Sequence, residues 1–212
     1  MSSRTTLEDA AKKKTLYATE QDTPGVRQQR DDYRCWLEHV DVRNLVFIDE
    51  AGIHLGMVRL FARAFRGERA VDTVPRNRGT NVSLIGALSL DGLIASMTLE
   101  GSVDTPAFLS YVYDVLAPQL WVGAIVVMDN LKVHHAHSVR RAIEAVGARV
   151  VFLPPYSPDL SPIELCWSKL KQFLRSKAAR TYAALDQAMT EAVDYITEDD
   201  VSGWFNHCGL FT

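Results

Sequence analysis

The alternation of short apolar runs and amphipathic stretches is clearest in residues 123–171, which read GAIVVMDNLKVHHAHSVRRAIEAVGARVVFLPPYSPDLSPIELCWSKLK. Two runs, residues 125–128 and 149–153, have the continuous apolar character of strands that are covered on both faces. Residues 138–146 and 161–177 have the spacing of helices. A strand, a helix and a second strand in this order predict adjacent parallel strands that are joined by a right-handed crossover.

The residues that precede this unit predict the rest of a mixed sheet. Residues 45–48 form another buried apolar run, and residues 81–90 and 93–99 flank Asp91-Gly92, a strong signal for a two-residue hairpin. The strand at residues 45–48 should lie parallel to the two later strands, with the hairpin at one side. This order predicts an α/β ribonuclease H-like fold, in which helices flank a mixed five-stranded sheet. Further predicted elements are a helix that begins at Asp104 and ends near Pro118, a helix over residues 182–196, and a segment at residues 57–65 where helical and strand periods compete.

The composition of the 212 residues is that of a globular protein, with 47% apolar and 23% charged residues. No apolar run approaches the roughly 18 residues that a membrane span needs, and the first residues lack the apolar core of a signal peptide. We therefore expect a cytoplasmic protein that has no membrane partner. Three cysteines without a CxxC pair argue against a disulfide framework and against a cysteine zinc site.

The charges are distributed unevenly, although the formal net charge is only -3. Residues 81–128 contain 4 acidic and no basic residues, whereas residues 129–180 contain 9 basic and 4 acidic residues. Because the binding of a polyanion follows the local potential more than the net charge, this distribution permits nucleic-acid binding. A solvated surface on which the charges are unevenly spread explains the same counts.

Two carboxylates are expected to meet at one edge of the sheet. Asp49 and Asp129 each follow an apolar strand directly, and the carboxyl ends of parallel strands bring ligand-binding groups together. Alone, either residue is explained as a turn or a helix cap; together, their like charges favour a compensating divalent metal ion. Asn130 adds an amide oxygen or closes a turn. Glu50 follows Asp49 in the chain but should point to the opposite face of the strand.

The third acid, Glu164, allows two interpretations. Ser161, Pro162 and Glu164 match a capping box with proline at the first helical position, so helix initiation alone explains them. The apolar residues of this helix nevertheless form one stripe, and Glu164 shares a different face with Lys171 and Arg175. Glu164 can therefore face the sheet edge, with the two cations behind it.

Three histidines follow Asp129 closely in the sequence. His134, His135 and His137 suggest a zinc site, but their spacing does not place all three on one face of a helix. We expect instead that His134 or His135 borders the site and contacts phosphate, or that they lie on a solvated turn. Candidate phosphate contacts, each equally well explained as a plain surface cation, are Arg76, Arg78, Lys132, Lys171 and Arg175.

Three segments together resemble the DDE transposases of the mariner superfamily, in its bacterial insertion-sequence branch. They are FIDEAGIHL around Asp49, VVMDNLKVHHAHSV around Asp129 and LPPYSPDLSPIELCWSKLK around Glu164, with 34 residues between the last two acids. The resemblance implies that these three acids are catalytic and hold two divalent metal ions, Mg²⁺ or Mn²⁺. It further implies a nucleoid-associated protein that cleaves DNA at transposon ends and transfers the strand to target DNA.

The resemblance also sets expectations for the domains and partners. Residues 1–40 are expected to form a linker or N-terminal arm, and residues 41–212 the catalytic domain, without the helix-turn-helix modules that family members usually carry. The expected partners are transposon-end and target DNA, with a homodimer or a DNA-binding product of an upstream reading frame. The alternatives are a non-catalytic truncated transposase that inhibits by binding DNA or transposase, and a ribonuclease H-like nuclease.

Overall fold

The computed structural model of the chain describes residues 18–76 and 78–211. Its main elements alternate between helices and strands, in the order that the sequence predicts for the centre of the chain. The helices and strands are α1 (Pro24–Leu37), β1 (Leu45–Ile53), β2 (Val82–Ser89), β3 (Gly92–Glu100), α2 (Thr105–Tyr111), β4 (Ile125–Met128), α3 (His137–Ala145), β5 (Arg149–Phe152), α4 (Pro162–Lys177), α5 (Tyr182–Asp194) and α6 (Glu198–His207).

The five strands form one mixed sheet in the order β3-β2-β1-β4-β5. β1, β4 and β5 are parallel, and β2 and β3 form an antiparallel hairpin beside β1. The hairpin turns at Leu90-Asp91, one residue before the predicted position, and β3 begins at Gly92, which has a φ of +105° that a residue with a side chain rarely adopts. The predicted ribonuclease H-like sheet flanked by helices is confirmed.

Each face of the sheet is covered by helices. On one face, α4, α5 and α6 pack over buried residues that include Phe47 and Trp167, and Tyr33 and Leu37 of α1 join the same cluster. On the other face, α2 and α3 cover a second cluster around Val126. Residues 1–17 of the predicted arm lie outside the described residues, and the division at residue 40 stays a prediction. Among the described residues, no helix has the length and apolar character needed to cross a membrane.

Three local expectations differ from the structure. β1 does not end at residue 48, because its pairing with β2 continues to Ile53. The segment whose structure the sequence left undecided, residues 57–65, has neither helix nor strand. The sequence analysis also missed α6, although Thr197-x-x-Asp200 forms a true capping box at its start and is readable as such in the sequence.

Candidate active site

Asp49 lies inside β1, at the point where this strand diverges from β4. The parallel pairing of β1 with β4 ends at Phe47, while the pairing with β2 continues and places Asp49 opposite Gly86. The indole N–H of Trp167, on α4, donates a 3.0 Å hydrogen bond to Asp49 Oδ2. An added Cβ at Gly86 would lie 2.5 Å from Trp167 Cη2, so the absence of a side chain there lets the indole reach Asp49.

Asp129 and Asn130 follow β4 at the same end of the sheet. The backbone N–H of Leu131 donates to Asp129 Oδ1 over 2.9 Å, which fixes the carboxylate in the turn. The Asn130 side-chain amide donates to the backbone oxygen of Leu153 over 2.7 Å and so ties the ends of β4 and β5 together. The two functions considered for Asn130, a turn residue and an oxygen donor, are compatible, because this bond uses only its N–H group.

Glu164 lies in the first turn of α4, but the predicted capping box is wrong. The Ser161 side chain makes no capping hydrogen bond, and only its backbone oxygen accepts from the Glu164 N–H, over 3.2 Å. Among the described residues, the Glu164 carboxylate has no hydrogen bond or ion pair that would hold it at the helix start. Asp49, Asp129, Asn130 and Glu164 instead line one cavity of about 360 Å³.

The electrostatics of this cavity are those of crowded like charges. Burial, followed by the charge of Glu164 and then those of Glu50 and Asp129, raises the pKa of Asp49 to about 7. Burial and the charge of Asp129 also raise the pKa of Glu164, while Lys171 opposes the shift. The apo site therefore carries a charge repulsion that a bound cation would relieve.

Glu50 points to the opposite face of the sheet, as strand alternation predicts, and joins a buried chain of charges. His134 Nε2 lies 2.9 Å from Glu50 Oε1, and His134 Nδ1 lies 2.7 Å from Asp129 Oδ1. Burial acts to lower the pKa of His134, but hydrogen bonds to the two carboxylates outweigh it and raise the pKa to about 9. Burial acts to raise the pKa of Asp129, yet bonds from His134 and Leu131 lower it.

His134 does not lie on a solvated turn, because its side chain is fully buried between the two acids, and a phosphate contact by His134 or His135 stays a prediction. His134 does border the site, through Asp129. His135 is exposed and stacks on Phe152 with ring centroids 4.1 Å apart, and His137 is exposed at the start of α3. Within residues 18–76 and 78–211, no group of three or more His, Cys, Asp or Glu side chains is arranged to hold a metal ion.

One wall of the cavity is the loop between β5 and α4, which α1 holds in place. Arg30 on α1 donates to both carboxylate oxygens of Asp159, over 2.9 and 2.6 Å, and to Ser157 Oγ over 2.7 Å. Arg30 is only 8% exposed, and Tyr156 in this loop has a φ of +55°. Arg30 could not be identified from the sequence, because nothing in the local pattern of residues 1–40 indicates a partner 129 residues away.

The remaining predicted contacts do not line the carboxylate cavity. Lys171 and Arg175 instead line a second recess of about 270 Å³ together with Arg78, His54 and Gly56, which we call the basic recess. Arg76 and Lys132, the other candidate phosphate contacts, are exposed on the surface.

Residues 44–186 match the family model of the DDE superfamily endonucleases. The chain belongs to this family. No curated protein matches it. Solved structures of similar fold include the Mos1 transposase paired-end complex with left transposon end, at 18% identity and a TM-score of 0.77, covering 95% of this chain and 64% of that one. The Mos1 mariner paired end complex with Mn gives 17% identity, a TM-score of 0.77 and the same coverage.

The catalytic domain of Mos1 mariner transposase, a shorter chain, gives 15% identity, a TM-score of 0.70 and 92% coverage of both chains. This chain thus matches nearly the whole of the isolated Mos1 catalytic domain. Of the longer Mos1 chain it covers only about two-thirds. At these identities the likeness establishes the fold.

The donor types in this cavity suit a divalent cation, although the described carboxylates are not arranged as a three-ligand metal group. The cavity offers carboxylate oxygens from Asp49, Asp129 and Glu164 and an amide oxygen from Asn130, the hard ligands that Mg²⁺ and Mn²⁺ bind. One oxygen of Asp49 and one of Asp129 are already fixed by protein donors. A cation bound between these acids would offset the burial and the like charges that raise the pKa of Asp49.

Proposed function

We propose that this chain is the catalytic domain of a transposase of a bacterial insertion sequence, which cleaves DNA at transposon ends and transfers the strand to target DNA. The observation that carries the proposal is the convergence of Asp49, Asp129 and Glu164 on one cavity in a chain of the DDE superfamily endonucleases. The Mos1 structures with transposon-end DNA support DNA as the substrate. The proposed location is the cytoplasm, on the nucleoid.

In this proposal the three acids hold two divalent ions, Mg²⁺ or Mn²⁺, and the Mos1 structures with Mn and Mg support this choice. Such a pair of ions, when bound, activates a water or a 3′-hydroxyl and stabilises the leaving oxygen of an in-line displacement at phosphorus. No side chain is then needed as the nucleophile.

The surrounding residues act by positioning these acids. Trp167 orients Asp49 through its indole N–H, and His134 orients Asp129 while its positive charge balances Glu50 and Asp129. Arg30 holds the loop that closes one side of the cavity. These contacts come from different parts of the chain, so Asp49, Asp129 and the loop are held before DNA arrives.

Two arrangements would bring DNA ends to this domain. The chain could act as a homodimer on paired ends, or it could pair with a DNA-binding product of an upstream reading frame. The resemblance to mariner transposases supports both arrangements, and light scattering of the protein with and without co-expressed upstream product distinguishes them.

The test of the proposed chemistry is DNA cleavage by the purified full chain with Mg²⁺ or Mn²⁺. We expect nicking of a supercoiled plasmid and joining of oligonucleotide ends, both of which Asp129→Asn should reduce at least about 100-fold without changing the melting temperature by more than a few degrees. Isothermal calorimetry should show uptake of Mn²⁺ by the wild-type protein and much weaker uptake by the variant. Undiminished cleavage by Asp129→Asn would refute the assignment, and DNA binding without cleavage would favour the non-catalytic inhibitor.

A further inference from the structure

The basic recess lies beside the carboxylate cavity along helix α4. Glu164 lines the cavity at the start of this helix, and Lys171 and Arg175 follow on the same face, seven and eleven residues later. A helix rises 1.5 Å per residue, so these cations lie about 10 and 16 Å further along its axis. One strand of B-form DNA advances about 3.4 Å per nucleotide, so this distance corresponds to about three to five nucleotides.

The cations of the basic recess lack a paired acid among the described residues, although the charge of Lys171 acts on Glu164 in the neighbouring cavity. Arg78, Lys171 and Arg175 form no ion pair within the described part of the chain, in contrast with Arg30, whose guanidinium is paired with Asp159. Burial, followed by the charges of Arg78 and Arg175, lowers the pKa of His54 below its usual value. The recess therefore carries an uncompensated positive potential, which an anion would balance.

The neutral ring of His54 is also prepared to donate a hydrogen bond. The backbone N–H of Gly56 donates to His54 Nδ1 over 3.0 Å. Because Nδ1 accepts this bond, the proton of the neutral ring lies on Nε2, which gives the recess an N–H donor in addition to its cations.

The segment that carries Arg78 is anchored on both sides. The N–H of Leu55 donates to the backbone oxygen of Arg78 over 3.2 Å, and the N–H of Thr80 donates to the Tyr182 hydroxyl over 2.6 Å. A Cβ at Gly56 would lie 2.8 Å from Arg78 Cγ, so the guanidinium stem lies directly over this glycine. Arg78 thus starts its side chain from a fixed backbone position.

We propose that the basic recess is a phosphodiester-binding subsite, which holds the backbone of the same DNA segment that occupies the carboxylate cavity. Arg78, Lys171 and Arg175 supply the positive charge, and His54 supplies a further donor to a phosphate oxygen. This proposal rests on the proposed function in that it takes DNA as the polyanion. It assigns to the recess the role of holding the strand while the carboxylates act on a phosphate about three to five nucleotides away.

The test is the salt dependence of DNA binding without divalent metal, which separates binding from chemistry. Fluorescence anisotropy of a labelled duplex with the full chain in EDTA gives Kd at several salt concentrations. Arg78→Ala and Arg175→Ala should each weaken binding at least about threefold and lower the slope of log Kd against log salt by about 1. The matched control is Arg43→Ala, which removes an exposed arginine just before β1, at the opposite end of the sheet.

A second variant tests the geometry without removing charge. Gly56→Ala should push Arg78 and His54 out of place and weaken binding about as much as Arg78→Ala, although the number of cations is unchanged. The proposal would be overturned if Arg78→Ala and Arg175→Ala kept the wild-type slope of log Kd against log salt. It would also be overturned if Arg43→Ala lost as much DNA affinity as they do. A different result would also overturn it: inorganic phosphate stabilises the wild-type protein against unfolding but not Arg78→Ala, while the slope of log Kd for DNA against log salt is the same in both. The recess would then bind a free anion instead of DNA.

Failure of this proposal is distinct from failure of the proposed function. Asp129→Asn should bind DNA in EDTA at least as tightly as the wild-type protein and with the same salt slope, because the carboxylates contribute no positive charge to binding. If Asp129→Asn loses cleavage while the recess variants bind normally, only the subsite is refuted. If Asp129→Asn cleaves normally, the assignment of the carboxylates is refuted whatever the recess variants do.

Discussion

The carboxylate cavity and the basic recess lie along the same helix but are built in opposite ways. In the cavity, buried side chains hold the acids: Trp167 fixes Asp49, His134 fixes Asp129, and Arg30 fixes the wall. In the recess, the backbone beside Arg78 is anchored, but the cations form no ion pairs among the described residues. The difference indicates that protein contacts fix two acids and one wall of the cavity, whereas the recess depends on an anion to balance its charge.

The largest expected effect is a change of stability with pH, which the acids of the cavity cause. Burial and neighbouring acids raise the pKa of Asp49 from 3.8 to about 7, so the folded metal-free protein loses stability as the pH rises from about 4 to 7. Asp49→Asn removes this titration but keeps an oxygen for Trp167. Its advantage in free energy of unfolding over the wild-type protein should therefore grow across this range to a few kcal/mol, because each tenfold change in proton affinity corresponds to about 1.4 kcal/mol.

Urea denaturation in EDTA at several pH values measures this advantage. His54 in the basic recess should change stability with pH in the opposite direction, because its pKa is lowered in the folded protein. Its contribution to stability is lost as the pH falls below 6.5, the pKa of histidine in the unfolded chain. A constant difference between Asp49→Asn and the wild-type protein from about pH 4 to 7 would show that the acids do not interact as the structure indicates.

The next effect concerns the loop that forms the cavity wall. Arg30→Met leaves Asp159 without its partner, and because Asp159 is partly exposed we expect a loss of about 2–3 kcal/mol, less than the ~3–5 of a fully buried pair. Arg78→Met in the basic recess is the matched control, and it should change stability by less than about 0.5 kcal/mol because no ion pair is broken. Chemical denaturation compares the two variants, and equal losses would contradict the contrast between the regions.

A third effect concerns the approach of Trp167 to Asp49. Gly86→Ala places a Cβ 2.5 Å from the indole, so the tryptophan must shift, at a cost of about 1–3 kcal/mol. Gly52→Ala, which lines the basic recess with no atom within 4 Å of its added Cβ, should change stability by less than about 0.5 kcal/mol. Thermal unfolding of both variants decides this, and a Gly86→Ala protein as stable as Gly52→Ala would mean that the indole is not held against the sheet.

Much of the fold and the identity of the acids could be predicted from the sequence, because both follow from local patterns. Buried apolar runs and the hairpin signal at Asp91-Gly92 predicted the sheet order, and the end of β4 predicted the place of Asp129. Asp49 was placed by an expected strand end at residue 48, whereas only the pairing of β1 with β4 has ended there. Asp129 is held by its near neighbours Leu131 and His134, but two other contacts join residues 118 and 84 positions apart, Trp167 with Asp49 and His134 with Glu50. No periodicity encodes such pairs, so they became visible only when the chain was folded.

The smallest expected effect separates helix initiation from the chemistry of the cavity. Ser161 makes no side-chain cap, so Ser161→Ala should change the free energy of unfolding by less than about 0.5 kcal/mol. Thr197→Ala is the matched control, because Thr197 does cap α6 and its loss should cost about 1 kcal/mol. Glu164→Gln should likewise leave the stability unchanged or slightly increased, since it removes a charge that Asp129 repels, while it abolishes Mn²⁺ uptake in calorimetry. A clear loss of stability in both Ser161→Ala and Glu164→Gln would restore the capping interpretation and leave the cavity with two acids instead of three.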